Sequence, residues 1–156
     1  MLEDFSNLTN IQFVSLDGVI HVKDRTDKEW GNRRRNDSEI NQIFEETISK
    51  ENWIIEDAGR DIFEKGMLKA DVIINLNPSM KVKKYRVIKR YVKQKLSIEK
   101  CLYTPSLKMV RFMYFWLKKF SNDEDGLVNR LKKYNEKVIV LKSNKDIKDY
   151  LSRIKY

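Results

Sequence analysis

Four short runs of the chain are apolar without strict alternation: IQFVSLD at 11–17, NWIIED at 52–57, ADVIINL at 70–76 and KVIVLK at 137–142. Runs of this length, rich in Ile, Val and Leu, suit strands buried on both faces, as in a parallel sheet sandwiched by helices. Between them the apolar positions recur at helical spacing. Asn36 stands three residues ahead of Glu39, a capping box that opens a helix to about Lys50 with Ile40, Ile43, Phe44 and Ile48 on one face. A short connecting helix is predicted over 61–68. Pro78 or Ser79 opens a further helix, Pro105 opens the aromatic-rich PSLKMVRFMYFWLKKF, Asp123 begins a helix to about Tyr134, and Ser143 with Asp146 caps the last one. The order is strand, helix, strand, helix, strand, several helices, strand, helix. It predicts an α/β fold with a three-layer arrangement, a parallel sheet flanked by helices.

Composition agrees with one compact domain over 1–156, because 41% hydrophobic residues supply a core that disordered chains lack. No stretch approaches the ~18 consecutive apolar residues of a membrane span, and MLEDFSNLTN is too polar and acidic for a signal peptide. A cytoplasmic protein with no membrane partner is expected. One cysteine, Cys101, and one histidine, His21, leave no Cys/His cluster for zinc and no intramolecular disulfide. Cys101 reads as a small half-buried side chain, and His21 as a surface or packing residue.

The formal charge of +9 points to phosphate-bearing partners. It is concentrated in KVKKYRVIKRYVKQK, 81–95, with eight basic residues and no acid. Val82, Tyr85, Ile88 (or Val87), Tyr91 and Val92 predict one apolar stripe opposite a cationic face. Met109, Phe112, Met113, Trp116, Leu117 and Phe120 have core spacing on the next helix.

In open parallel sheets ligands sit beyond the carboxyl ends of the strands. Asp17 closes the first predicted strand, Glu56 and Asp57 the second, and Asn77 the third. Carboxylates there hold a metal through water, orient a water or bind a hydroxyl, though a single one as often caps the next helix. Arg33, Arg34 and Arg35 form a run in the loop ahead of the 36–50 helix, where guanidinium forks and helix N-terminal amides both suit phosphate oxygens.

The succession IQFVSLDGV, RRRNDSEINQIFEETISKENWIIED, ADVIINLNPS, RVIKRYVKQKL, the aromatic helix and EKVIVLKSNKDIKDYL resembles the DNA topology modulation (FlaR-like) family of small P-loop NTPases, related in fold to adenylate kinase. The resemblance runs from Phe5 to Leu151. It implies an ATP-dependent kinase or ATPase using Mg-ATP, with a nucleotide or phosphorylated small molecule as partner. It places Asp17 and Arg33 to Arg35 at the phosphoryl acceptor and Glu56 near the catalytic centre. It makes 78–120 a lid-like region whose Arg86, Lys89 and Arg90 close over the transferring phosphate.

The departures concern the other half of such a site. The family opens with an apolar strand and a Gly-rich Walker A loop ending in Gly-Lys-Ser/Thr, whose amides and lysine cradle phosphates. None of the five glycines here precedes a lysine, and MLEDFSNLTN resembles the second half of the helix that follows that loop. The family's Gly after the third strand is Asp57, and its Asp after the fourth is Asn77. The expectation is a kinase-like sheet lacking its first strand, with little phosphoryl transfer. That strand lies mid-sheet in the family, and unpaired buried backbone groups cost about 1–3 kcal/mol each, so marginal stability or self-association through exposed strand edges follows. Two other readings stand beside it: a nucleic-acid-binding protein using helix 81–95, with Tyr85, Tyr91 or Trp116 to stack on bases, and a purely structural domain.

Overall fold

The computed structural model of the chain describes residues 6–7, 9–24, 26–122 and 126–154. Its elements are β1 (Phe13–Ser15), α1 (Leu16–Ile20), β2 (His21–Lys23), β3 (Asn32–Arg34), α2 (Asp37–Ile48) and β4 (Ile54–Glu56), then a 3-10 turn (Asp61–Phe63) running into α3 (Glu64–Lys69). β5 (Ile73–Leu76), α4 (Met80–Lys95), α5 (Leu107–Ser121), α6 (Leu127–Lys132), β6 (Val138–Leu141) and α7 (Asn144–Ile154) complete it. The fold is α/β, with all four predicted strands present in parallel pairs. β1 runs beside β4 in the register Phe13↔Ile54, Val14↔Ile55, Ser15↔Glu56. β5 runs beside β6 from Ile73↔Val138 to Leu76↔Leu141. Among the described residues no strand pairing joins β4 to β5, so the pairs form separate two-stranded sheets.

Two elements differ from the sequence expectation near the site. The first strand stops at Ser15, and Leu16 to Ile20 wind into α1. The reason lies in the pattern: Leu16, Val19 and Ile20 sit at i, i+3 and i+4, and as a helical turn they bury all three. The Arg run is also not wholly in a loop. Arg33 and Arg34 lie on β3, which pairs antiparallel with β2 in the register His21↔Arg34 and Val22↔Arg33.

Capping follows prediction. The Asn36 side chain accepts from the Glu39 amide at 2.8 Å while Glu39 accepts from the Asn36 amide at 3.2 Å, a complete capping box for α2. Ser143 and Asp146 exchange the same pair of bonds at the start of α7. Ser79 is the N-cap of α4. Ser106, one residue past Pro105, caps α5 by accepting from the Met109 amide at 3.2 Å. Asp123 lies outside the described residues, and α6 follows Gly126.

The main core gathers Leu16, Val19 and Ile20 of α1, Ile40, Phe44 and Ile48 of α2, and Phe63, with Val14 and Ile55 of the β1–β4 pair packed against it. Beyond residue 63 the buried hydrophobics among the described residues are Val110, Leu131 and Leu141. Two cations tie the later chain to the earlier: Lys137 donates to the carbonyls of Leu68 and Ala70 at 2.7 and 2.8 Å, and Arg130 reaches the loop after β4.

α4 packs against α5, and only part of the predicted stripe is covered there. Val87, Tyr91 and Gln94 are covered, while Val82, Tyr85, Ile88 and Val92 are exposed. The helix carries two apolar stripes, and the covered one is headed by the single polar residue Gln94. On α5, Val110 is buried whereas Phe112 and Trp116 are exposed, joined in a ring ladder with Trp30 and Phe120 at centroid distances of 5.8–6.0 Å.

Candidate functional site

The carboxyl ends of β1 and β4 point the same way because the strands are parallel, which brings the residues after them together. Asp57 folds the chain back on itself. Its Oδ2 accepts the amides of Gly59 and Arg60 at 2.7 and 2.6 Å, an Asx turn that Gly59 permits by adopting φ +87°. The turn aims Arg60 across the strand ends. Its Nη1 donates to Asp57 Oδ1 at 2.5 Å, and its Nη2 donates to Asp17 Oδ1 in the first turn of α1. Burial alone would lower the Arg60 pKa; the hydrogen bond and charge of Asp17, with those of Asp57, outweigh it and raise the pKa above its ordinary value. The turn is held from the far side too. Arg130 of α6 donates to the Gly59 carbonyl and pairs with Asp61, and a side chain at Gly59 would strike Leu127.

The residues singled out from the sequence fall into distinct situations. Asp17 is ion-paired with Arg60. Glu56, opposite Ser15 in the sheet, is exposed and has no hydrogen-bond or ion-pair partner among the described residues. Arg35 donates to the Gly18 and Val19 carbonyls at 2.7 and 2.6 Å, closing the end of α1. Arg34 pairs with Asp37 at 2.6 Å. Arg33 alone of the three is exposed without such a bond among the described residues. Arg86 donates to Asn144 Oδ1 at 2.9 Å, Arg90 pairs with Glu99 at 3.1 Å, and Lys89 lies 6.0 Å from the Tyr85 ring. These three are therefore engaged with different partners rather than gathered on one point.

Arg60 and its link to Asp17 were not anticipated from sequence. The signal was present as Asp57-Ala58-Gly59-Arg60, because Asp two residues before Gly at a strand end is a turn signature. What it could not convey was the reach to an aspartate forty-three positions away.

No group of three His, Cys, Asp or Glu side chains among the described residues is placed to hold a metal. The two carboxylates that do converge, Asp17 and Asp57, already share a guanidinium. Asn77 accepts from Lys83 Nζ at 2.9 Å, so the position after β5 presents a neutral amide beside a cation.

His21 stands beside this network. Burial lowers its pKa from the ordinary 6.5; Asp17 pulls it upward, Arg60 and Arg34 push it down, and its Nδ1 is buried with no hydrogen-bond partner among the described residues. The folded chain thus binds a proton at His21 less readily than the unfolded chain, and stability is lost as pH falls through the ordinary and then the folded pKa. Thermal melting is expected to show a drop in Tm between about pH 7 and about pH 5 that is smaller in His21→Gln. Equal slopes in the two proteins would remove His21 from the account.

A separate cleft lies elsewhere. It measures about 800 Å³, is bounded by the β2–β3 hairpin and the 97–105 segment, and includes neither Asp17, Glu56 nor Arg60. Among the described residues no helix is long and apolar enough to cross a membrane. Comparison with known proteins finds no matching family model, no matching curated protein and no matching solved structure.

Proposed function

We propose that this chain is a P-loop nucleotide-kinase-like domain of the DNA topology modulation type, without a Walker A loop in this sequence. It keeps an acceptor-side site for the phosphate of a nucleotide or other phosphorylated small molecule, and transfers phosphate weakly or not at all. The supporting observation is the Asp17–Arg60–Asp57 cluster at the carboxyl ends of a parallel strand pair, the place where such sheets bind ligands. The separate pairs β1–β4 and β5–β6 are compatible with the two flanks of a larger three-layer sheet. Arg33, which has no ion pair or side-chain hydrogen bond among the described residues and only a through-space pull on Asp24, is the guanidinium available to a phosphate, and Glu56 the carboxylate available to a hydroxyl or water. No step is routed through Mg-ATP, because Arg60 already pairs with both carboxylates that converge at the strand ends.

A nucleoside monophosphate is expected to raise the melting temperature where the parent nucleoside does not. Arg33→Ala is expected to weaken that binding about tenfold. A monophosphate without effect on melting counts against the proposal. The second reading, nucleic-acid binding along α4, is favoured by its exposed Lys81, Lys84, Lys89 and Lys95 around Tyr85, which is 64% exposed. Oligonucleotide binding that falls steeply with salt and survives Arg33→Ala would favour it.

A further inference from the structure

The cleft between the β2–β3 hairpin and the segment after α4 has walls held in place from both sides. Thr104 donates its amide to the Trp30 carbonyl at 2.7 Å, and Gly31, at φ +70°, approaches so closely that a Cβ there would lie 2.6 Å from Thr104 Oγ1. Asp27 fixes the hairpin turn by accepting the amides of Glu29, Trp30 and Gly31 at 2.6–3.0 Å. On the other wall α4 ends in a Schellman motif, Ile98 N–H to Lys93 C=O at 2.9 Å and Ser97 N–H to Gln94 C=O at 3.1 Å. Ser97 occupies the left-handed position of that motif at φ +58°, where glycine is the usual residue.

The polar groups of this cleft are unequally satisfied. Gln94 lines it at 6% exposure; its Oε1 accepts the Tyr103 hydroxyl at 2.9 Å, and its Nε2, fully buried, has no hydrogen-bond partner among the described residues. A buried amide donor left without a partner is costly and rare. The acidic residues of the cleft are already engaged, Asp27 by three amides and Glu99 by Arg90. Lys23 and Lys100, both exposed on the lining, have no hydrogen-bond or ion-pair partner among the described residues. The uncommitted groups are thus cations and donors, and the Tyr103 ring offers an apolar wall beside them.

We propose that this cleft binds a small organic anion, its charged oxygens meeting Lys23, Lys100 and the Gln94 amide, which turns toward the cleft to reach them, and its apolar body lying against Tyr103. The site is independent of the strand-end cluster and of the function proposed there. A phosphate ester and a carboxylate share the chemistry that the cleft recognises. Burial raises the Tyr103 pKa against the opposing pull of its Gln94 hydrogen bond, which keeps the phenol a neutral donor to Oε1.

The test is an NMR titration of the full chain with phenyl phosphate and, separately, phenylacetate, following the backbone amides of 97–104 and the side-chain amide of Gln94. Saturable shifts in these signals are expected, and the tighter of the two ligands identifies the head group. Lys23→Ser with Lys100→Ser, both on exposed positions, is expected to weaken binding at least about tenfold, and Gln94→Met by about tenfold. Should Gln94→Met not fold, the lysine pair decides: unchanged anion binding in Lys23→Ser with Lys100→Ser overturns the proposal. The proposal fails if neither anion moves these signals, or if Lys81→Ser with Lys84→Ser, outside the cleft, weakens binding as much as the lining lysines do.

Discussion

Arg60→Met is expected to destabilise the chain by about 2 kcal/mol in urea denaturation. The magnitude follows from the unequal burial of its two partners. Asp17 is 64% exposed, so water replaces most of what Arg60 supplies to it, and that arm contributes little. Asp57 is 11% exposed and turned inward by the two amides it accepts, so removal of the guanidinium leaves a largely buried carboxylate without its counter-charge. Breaking a fully buried pair costs about 3–5 kcal/mol, and Arg60, itself 32% exposed, warrants a smaller figure. A double-mutant cycle separates the arms. Asp57→Asn in the Arg60→Met background should recover part of the loss, because the unpaired charge is gone while the side-chain oxygen still accepts amides. Asp17→Asn alone should cost less than about 1 kcal/mol. If Arg60→Met leaves the unfolding midpoint unchanged while nucleoside monophosphate binding disappears, the guanidinium serves a ligand rather than the strand ends.

How far the sequence reached depended on the range of each interaction. Strand existence, the Asn36–Glu39 and Ser143–Asp146 caps and the α2 face of Ile40, Phe44 and Ile48 are encoded within four or so neighbouring positions, and all were legible. The β2–β3 hairpin was not, because His21, Val22 and Lys23 have no apolar run and become a strand only by pairing with Asn32 to Arg34. α1 was hidden inside a run that reads equally as strand, since Leu16, Val19 and Ile20 resolve into a helix only when a core exists for all three to face. The α4 stripe was legible only in part, at Tyr91 and the alternative Val87, for a related reason. Two apolar stripes compete there, and the chain covers the one that ends in Gln94, a residue that pattern reading assigns to solvent. Of the candidate site, the strand-end acids were readable as single letters. The arginine that joins them was not, because the Asp17–Arg60 contact spans forty-three positions of chain.

The same long-range packing makes stability uneven, and Phe44→Ala should expose this, with an expected cost of about 3–5 kcal/mol. Phe44 is 3% exposed, its ring lies 4.8 Å from that of Phe63, and a Cβ at Gly66 would come within 3.1 Å of it. The ring therefore fills a space that the backbone of α3 borders directly, and a backbone cannot swing inward to close the cavity as a side chain would. Against a typical total of about 5–15 kcal/mol, such a loss removes a large share of what holds α1, α2 and the β1–β4 pair together. Among the described residues the β5–β6 side has no comparable buried cluster. Leu141 is its buried strand residue, and Leu141→Ala should cost nearer about 2 kcal/mol because Leu141 lies outside the buried cluster. Native-state hydrogen exchange is the discriminating measurement. Amides of α2 and β4 should be the most protected in the parent chain, those of β5 and β6 less so, and Phe44→Ala should bring the first group down to the second. Uniform protection, or an equal loss from Leu141→Ala, would mean that the two strand pairs unfold as one cooperative body despite sharing no hydrogen-bonded edge.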